Sequence, residues 1–341
     1  MNFELLKKES ILHEYEKIRL RNKRVLQDRQ AEIYEKIPEI KRLQTESRLS
    51  YIALAKQRLS GQDGSHATAS AVSSKNREAA SRIQELLLYH GYPADYLMPI
   101  YDCAICQDQA YVNGEVCECF QRKIVDALHK QSNMTQVLEQ ENFNTFQLDF
   151  YSREVSPSYQ QSTSPYDNAR HVLQRCQAFV DNFSKLERDR GNLLLYGETG
   201  LGKTFLTNCI AKELLDNGHT VLYLSANDIF EQVFGEYLMN KKFELEELYK
   251  YIYNSELLII DDLGTETTNA FVCSKLFEVI NQRGLTGRST VISTNLSIRE
   301  LQEKYSERIM SRIVESYTVL HLYGENIRYK KRKEMIQGSK L

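Results

Sequence analysis

Gly197-Glu198-Thr199-Gly200-Leu201-Gly202-Lys203-Thr204 follows directly on an apolar run, Asn192-Leu-Leu-Leu-Tyr196. The pair reads as a short buried strand feeding a glycine-rich turn of the form GxxxxGK[ST]. Glycines in that pattern let backbone N–H groups wrap phosphate oxygens. A helix opening at Thr204, with Leu206, Ile210 and Leu214 on one face, aims the positive end of its dipole at the same anion. Lys203 is the expected ammonium partner of the outer phosphates and Thr204 the hydroxyl ligand of Mg²⁺. The eight residues together predict a cradle for a nucleoside triphosphate; a chance glycine turn would bring neither the preceding strand nor the amphipathic helix after it.

A second strand decides which branch of nucleotide enzymes this is. Leu257-Leu-Ile-Ile260 is a continuous apolar run ending in Asp261-Asp262, the position of a Walker B motif. Asp261 is expected to hold Mg²⁺ through water, and Asp262 to orient the attacking water as general base. A lone Asp-Asp is otherwise a turn or helix cap. A third run, Ser289-Thr-Val-Ile-Ser293, ends in Thr294-Asn295, which places Asn295 near the γ-phosphate or the water unless it serves only a turn. Between strand Val221-Leu-Tyr-Leu224 and the Walker B strand lies a helical stretch with Phe230, Phe234, Tyr237, Lys241, Lys242 and Phe243. Phe230 is a candidate for stacking on bases and Lys241 and Lys242 for phosphate contact, against the alternative that these aromatics are core.

The chain has 341 residues, 26% charged and 42% hydrophobic, which predicts two or three units able to bury a core. It has no apolar run of eighteen residues, and Met1-Asn-Phe-Glu-Leu-Leu-Lys-Lys does not read as a signal peptide, so a cytoplasmic protein without a membrane segment is expected. Net charge is −2, with +5 on residues 1–60. That asymmetry alone does not imply nucleic acid. Residues 1–60 read as a charged helical arm with Ile11, Tyr15, Ile18, Val25, then Ile33, Ile37, Ile40, Leu43, Tyr51 and Leu54 at helical steps. Pro38 is placed to start a second helix at its first turn. The arm is either a partner-binding device or a self-packed bundle. Small polar residues over 60–75 read as a linker, or as a loop between helices of one domain, with a helix resuming around Ala79–His90. Residues 61–141 are read as linker plus a helical metal-binding module, and 142–335 as the ATPase.

Four cysteines fall within that module: Cys103-x-x-Cys106, ten residues, then Cys117-x-Cys119. Such a cluster predicts a structural Zn²⁺ site rather than disulfides, a redox pair or an iron–sulfur cluster. The tight CxC leaves open that His90 or His129 replaces one thiol. Cys176, Cys209 and Cys273 stand alone and are expected to be small buried side chains.

With these motifs the chain resembles the DnaC/DnaI-type replicative helicase loaders, a branch of the AAA+ ATPases close to the initiator DnaA. The likeness spans roughly residues 85 to 335. It is carried by the two Walker motifs, by the cysteines joined to Glu141-Asn-Phe-Asn-Thr-Phe146-Gln-Leu-Asp-Phe-Tyr-Ser152, by Tyr305-Ser-Glu-Arg308-Ile-Met-Ser-Arg312-Ile313, and by Gly324-Glu-Asn-Ile-Arg328. It implies an α/β fold with a three-layer AAA+ P-loop core on a parallel sheet, preceded by a helical zinc-binding domain. It also implies that Arg312, or alternatively Arg308, acts in trans as an arginine finger on a neighbouring subunit's ATP, and that Arg328 contacts nucleotide as sensor 2. From residues alone, Arg308 and Arg312 are a solvated helix face four apart.

The function so implied is ATP-dependent loading of a hexameric DnaB-type helicase onto single-stranded DNA at the start of replication. The loader would self-associate on the helicase and use ATP, Mg²⁺ and Zn²⁺. Three rivals share the phosphate loop. An IstB-like transposition helper would bind duplex DNA, and generally lacks such a cysteine module. A P-loop small-molecule kinase would need a lid and no trans arginine. A nucleotide-binding adaptor would be indifferent to loss of Asp262.

Overall fold

The computed structural model describes residues 8–59, 66–131, 134–159, 161–183, 191–235 and 243–330. The chain forms two compact units, one of Glu9–Cys117 and one that holds Glu118–Leu341.

The first unit is helical: α1 (Lys8–Lys36), α2 (Pro38–Leu59) and α3 (His66–Tyr89). Pro38 is the first residue of α2, where its missing N–H costs nothing. Ile33, Ile37 and Ile40 of the α1–α2 corner pack with Leu86 and Leu87 of α3, all buried. Each such aliphatic side chain contributes roughly 1.5–3 kcal/mol through burial. Helix α3 begins at His66 and replaces most of the linker expected over 60–75. Composition misled there because Ser and Thr suggest a loop, whereas Ala67, Ala69 and Ala71 favour a helix and no proline interrupts them. The unit ends in a hairpin, β1 (Tyr111–Val112) and β2 (Glu115–Val116), closed by Asn113 and Gly114, both at positive φ. A two-residue Asn-Gly loop matches the twist of a β-ribbon.

The second unit is α/β. Helices α4 (Glu118–Gln131), α5 (Met134–Gln140) and α6 (Pro165–Phe183) precede β3 (Asn192–Tyr196), α7 (Lys203–Asp216) and β4 (Val221–Ser225). A π-helical turn, Asp228–Gly235, leads on to α8 (Phe243–Asn254), β5 (Leu257–Leu263), α9 (Ala270–Leu285) and β6 (Ser289–Thr294). The last elements are α10 (Ile298–Tyr305), α11 (Glu307–Ser316) and β7 (Tyr317–His321). The sheet order is β4-β5-β6-β3-β7, and every pairing is parallel. This is the AAA+ P-loop fold. The apolar runs that predicted buried strands are buried throughout, from Leu193–Leu195 on β3 to Leu257–Asp261 on β5 and the whole of β6. The three central strands end side by side on the edge where parallel α/β sheets bind ligands, presenting Gly197, Asp261, Asp262 and Asn295 together.

The opposite edge is fastened by Arg283, fully buried near the end of α9. Its guanidinium donates to Ile252 O (2.6 Å), Ser255 Oγ (3.2 Å), Ser255 O (2.9 Å), Ser289 O (2.5 Å) and Thr290 Oγ1 (3.1 Å). Burial pushes its pKa down, and this ring of oxygen acceptors is what keeps a cation tolerable there.

Candidate nucleotide site and cysteine cluster

The phosphate loop runs from Gly197 to Gly202, with Gly197, Gly200 and Gly202 at φ +144, +83 and +91. At two of these, glycine is also required by space. A Cβ on Gly197 would lie 2.0 Å from Leu322 O, and one on Gly200 2.2 Å from Asn326 Oδ1. Lys203 opens α7 and is buried, donating through Nζ to Gly197 O (2.8 Å), Glu198 O (2.7 Å) and Asn295 Oδ1 (2.7 Å). Desolvation pushes its pKa down to about 8, opposed by the charges of Asp262 and Asp261. A buried ammonium held by neutral oxygens is poised to exchange them for phosphate.

Asp261 and Asp262 close the cluster. Asp261 Oδ1 accepts the Ser293 hydroxyl and lies 3.3 Å from Thr204 Oγ1. Burial raises its pKa, and Asp262 raises it further, against the Ser293 bond. A carboxylate and a hydroxyl from two elements at this spacing fit Mg²⁺, which takes oxygen ligands and retains several waters. Asp262 has φ +53, and its backbone N–H donates to Ser293 Oγ (2.9 Å). Asn295 donates through Nδ2 to Asp262 Oδ1 at 3.3 Å. Asn295 thus joins Lys203 to the second aspartate. Sequence reasoning passed over Ser293; its signal was a hydroxyl at the tip of a strand paired with the Walker B strand.

A cavity of ≈ 220 Å³ opens over this cluster, and Lys203, Thr204, Asp262, Asn295 and Arg328 all line it. Its far wall is the segment singled out by resemblance, through Glu141, Phe146, Phe150 and Tyr151. Phe146 meets Phe205 edge to face at 5.5 Å and stacks on Tyr151 at 6.0 Å, giving an apolar end suited to a flat base. Tyr151 is buried and its hydroxyl donates to Leu201 O (2.7 Å), fixing the loop from one side. On the other side Asn326 Nδ2 donates to Thr199 O (3.1 Å), Ile327 N to Gly200 O (2.9 Å), and Arg328 N to Asn326 Oδ1 (3.0 Å). Neither Tyr151 nor Asn326 was a sequence candidate.

Arg308 and Arg312 lie outside this cavity, both exposed on α11. Arg308 stacks on the Phe277 ring at 4.5 Å, and Arg312 pairs with Glu315 at 3.2 Å. The loop after Asp262 is fastened next to them: buried Glu266 accepts from Gly264 N (3.0 Å), Thr268 Oγ1 (3.2 Å) and the Tyr305 hydroxyl. Phe230 corrects an expectation. It is 2% exposed and packs against Phe234, so it belongs to the core and cannot stack on DNA. Lys241 and Lys242 fall outside the described residues.

The residues of the cavity answer to a known family. A match to the IstB-like ATP-binding proteins covers residues 160–335. The chain belongs to that family. The family is described by ATP binding. Among curated relatives, the replicative helicase loader DnaC of Escherichia coli K12 is 26% identical over 143 residues, covering 42% of this chain and 57% of the relative. A putative insertion sequence ATP-binding protein of Sinorhizobium fredii is 29% identical over 149 residues, covering 42% of this chain and 48% of the relative. The chain thus spans about half the length of the curated relatives it matches. A crystal structure of the DnaC helicase loader aligns with TM-score 0.43 at 22% identity, covering 55% of this chain and 98% of that one. The IstB-like match begins at 160, beyond the wall that Glu141 to Tyr151 contribute to the cavity.

Cys103, Cys106, Cys117 and Cys119 bring their sulfurs within 4.8 Å of one another, with Cys106 and Cys117 buried. The four thiols suit tetrahedral Zn²⁺, whose structural sites take four such ligands. Among the described residues no histidine joins the group. The His129 side chain lies outside them. Cys176 and Cys209 are fully buried, while Cys273 is partly exposed. No helix among the described residues is long and apolar enough to cross a membrane.

Proposed function

We propose that this protein is an ATP-dependent loader that places a hexameric DnaB-type replicative helicase on single-stranded DNA, with hydrolysis as a slow release or reset step. The observation that carries it is the joining of Lys203, Asn295 and Asp262 in one cavity with Arg328, in a chain similar to the DnaC loaders. Lys203 would transfer its bonds from Gly197 O and Glu198 O to the outer phosphates. Asp262 would accept the proton of the attacking water, which Asn295 holds against the γ-phosphate. Thr204 and Asp261 would hold Mg²⁺, which screens the charge that develops on the phosphates. Arg328 would contact the same phosphates from the closing segment. The exposed position of Arg312 favours action on a neighbouring subunit's nucleotide, with Arg308 the alternate because its guanidinium already stacks on Phe277. Such a finger adds about 10³–10⁵ in rate, so hydrolysis would await assembly.

The four cysteines would hold a structural Zn²⁺, and residues 1–141 would grip the helicase. A role for Lys241 and Lys242 on DNA phosphates remains part of this reading. The IstB-like match and the Sinorhizobium fredii relative favour a second reading, a transposition helper that binds duplex DNA. Co-elution with the cognate replicative helicase, in ATP and in ADP, separates the two. The full chain forms a complex and residues 142–341 do not, if the loader reading holds. Absence of a complex in every nucleotide state, with ATP binding intact, overturns it in favour of the helper.

A further inference from the structure

Helix α1 carries its inward side chains at three- and four-residue steps, Tyr15, Ile18, Asn22, Leu26, and one of them is polar. Asn22 is 6% exposed. A buried asparagine in an apolar stripe is costly unless it is bonded, and it then sets which register of the helix is allowed. Its partners lie some eighty residues further on, in the loop that carries Cys103 and Cys106. Asn22 Nδ2 donates to Asp108 Oδ2 (3.1 Å) and to Asp102 Oδ1 (3.0 Å). Asp108 is 1% exposed, and its carboxylate also accepts the backbone N–H groups of Asp102 (3.1 Å) and Cys103 (2.8 Å). Around this centre Arg21 forks onto the Asp102 carboxylate at 2.5 and 2.6 Å, and Arg19 Nη1 reaches Asp108 O at 2.9 Å.

The loop needs that support. Gln107, Asp108 and Ala110 all sit at positive φ, each disfavoured by roughly 1–2 kcal/mol for a residue with a Cβ. Between them they turn the chain so that Cys103 comes within 3.9 Å of Cys117. A carboxylate beside thiolates is electrostatically adverse, and its burial here is offset by backbone donors on one side and by the donors of α1 on the other.

We infer that Asp108 and Asn22 make α1 part of the metal centre: Asp108 shapes the loop that presents Cys103 and Cys106, and Asn22 locks α1 to it in register, so that zinc occupancy and the seating of α1 form one cooperative unit. This rests on the zinc reading of the four cysteines. Both are positioning residues, since neither carries a sulfur ligand.

The test uses the full chain reconstituted with zinc and reads metal release to a colorimetric chelator together with amide hydrogen exchange. Asp108→Asn leaves either the Cys103 N–H, or Asn22 Nδ2 together with the Asp102 N–H, facing an amide donor in place of an acceptor, and Asn22→Ala removes the tie to α1. Each is expected to release zinc at least about tenfold faster than the unmodified chain. In the unmodified chain, removing zinc is expected to cost residues 15–26 of α1 their protection. Residues 33–37, which pack on α3, keep theirs, which separates local release from global unfolding. Zinc release at the original rate in both variants, or an α1 that stays protected without zinc, overturns the inference while leaving the zinc reading standing. A reconstituted chain that holds no zinc overturns both.

Discussion

At the residue scale, Asp262 is the side chain through which binding and turnover separate. Its carboxylate faces Asn295 and the cavity, whereas its left-handed backbone, φ +53, is a conformation that asparagine adopts readily. Asp262→Asn should therefore keep the local fold and the affinity for ATP while lowering turnover by about 10²–10⁴, as for loss of a general base. Fluorescent-nucleotide titration and phosphate release read the two quantities; weakened binding would instead make Asp262 a phosphate-site residue. Gly200 gives the opposite separation. A methyl group there meets the Asn326 amide at 2.2–2.5 Å, at φ +83. Gly200→Ala should open the contact of the closing segment with the loop and weaken ATP binding at least about tenfold, ~1.4 kcal/mol, with circular dichroism unchanged.

At the scale of elements, the edge of the sheet remote from the nucleotide depends on α9 through one guanidinium. Arg283→Met removes a charge but leaves Ile252 O, Ser255 O and Ser289 O buried without their donor. The expected loss is on the order of 3–5 kcal/mol, read as a shift in urea midpoint at constant slope. Elements of this kind also mark how far the sequence can be read. Strands β3 to β6 were legible because an apolar run closed by a polar tip is what a buried parallel strand looks like. Helix α3 was missed over residues 66–78 because helix-forming alanines were interspersed with loop-forming serines. The paired function of Ser293 and Asp261 was hidden because their contact joins neighbouring strands 32 residues apart. Phe230 was a fair aromatic candidate until its burial placed it in the core, which periodicity alone cannot distinguish from an exposed helix face. Asn22 left a clear signal, an amide in an apolar stripe, but its partner Asp108 is found only once the chain has folded.

At the scale of the molecule, the cavity draws on stretches far apart in the chain: Glu141 to Tyr151, the phosphate loop with the start of α7, Asp262 and Asn295 at the tips of β5 and β6, and Ile327 and Arg328 of the closing segment. A chain beginning at residue 153 retains both Walker motifs and all of the IstB-like match, yet it lacks Tyr151 and the aromatic end of the cavity. It should bind ATP at least about tenfold more weakly than a chain beginning at 134, as measured by calorimetry. Equal affinities would confine recognition to the phosphate end. Because its walls come from both flanks of the sheet, a bound nucleotide would tie residue 146 to residue 327 like a removable stitch. Its free energy would then oppose the detachment of either flank, by RT ln(1 + [L]/Kd). The energy charge of the cell would in that case set how firmly the two ends of the ATPase domain are held shut, before any phosphate is cleaved.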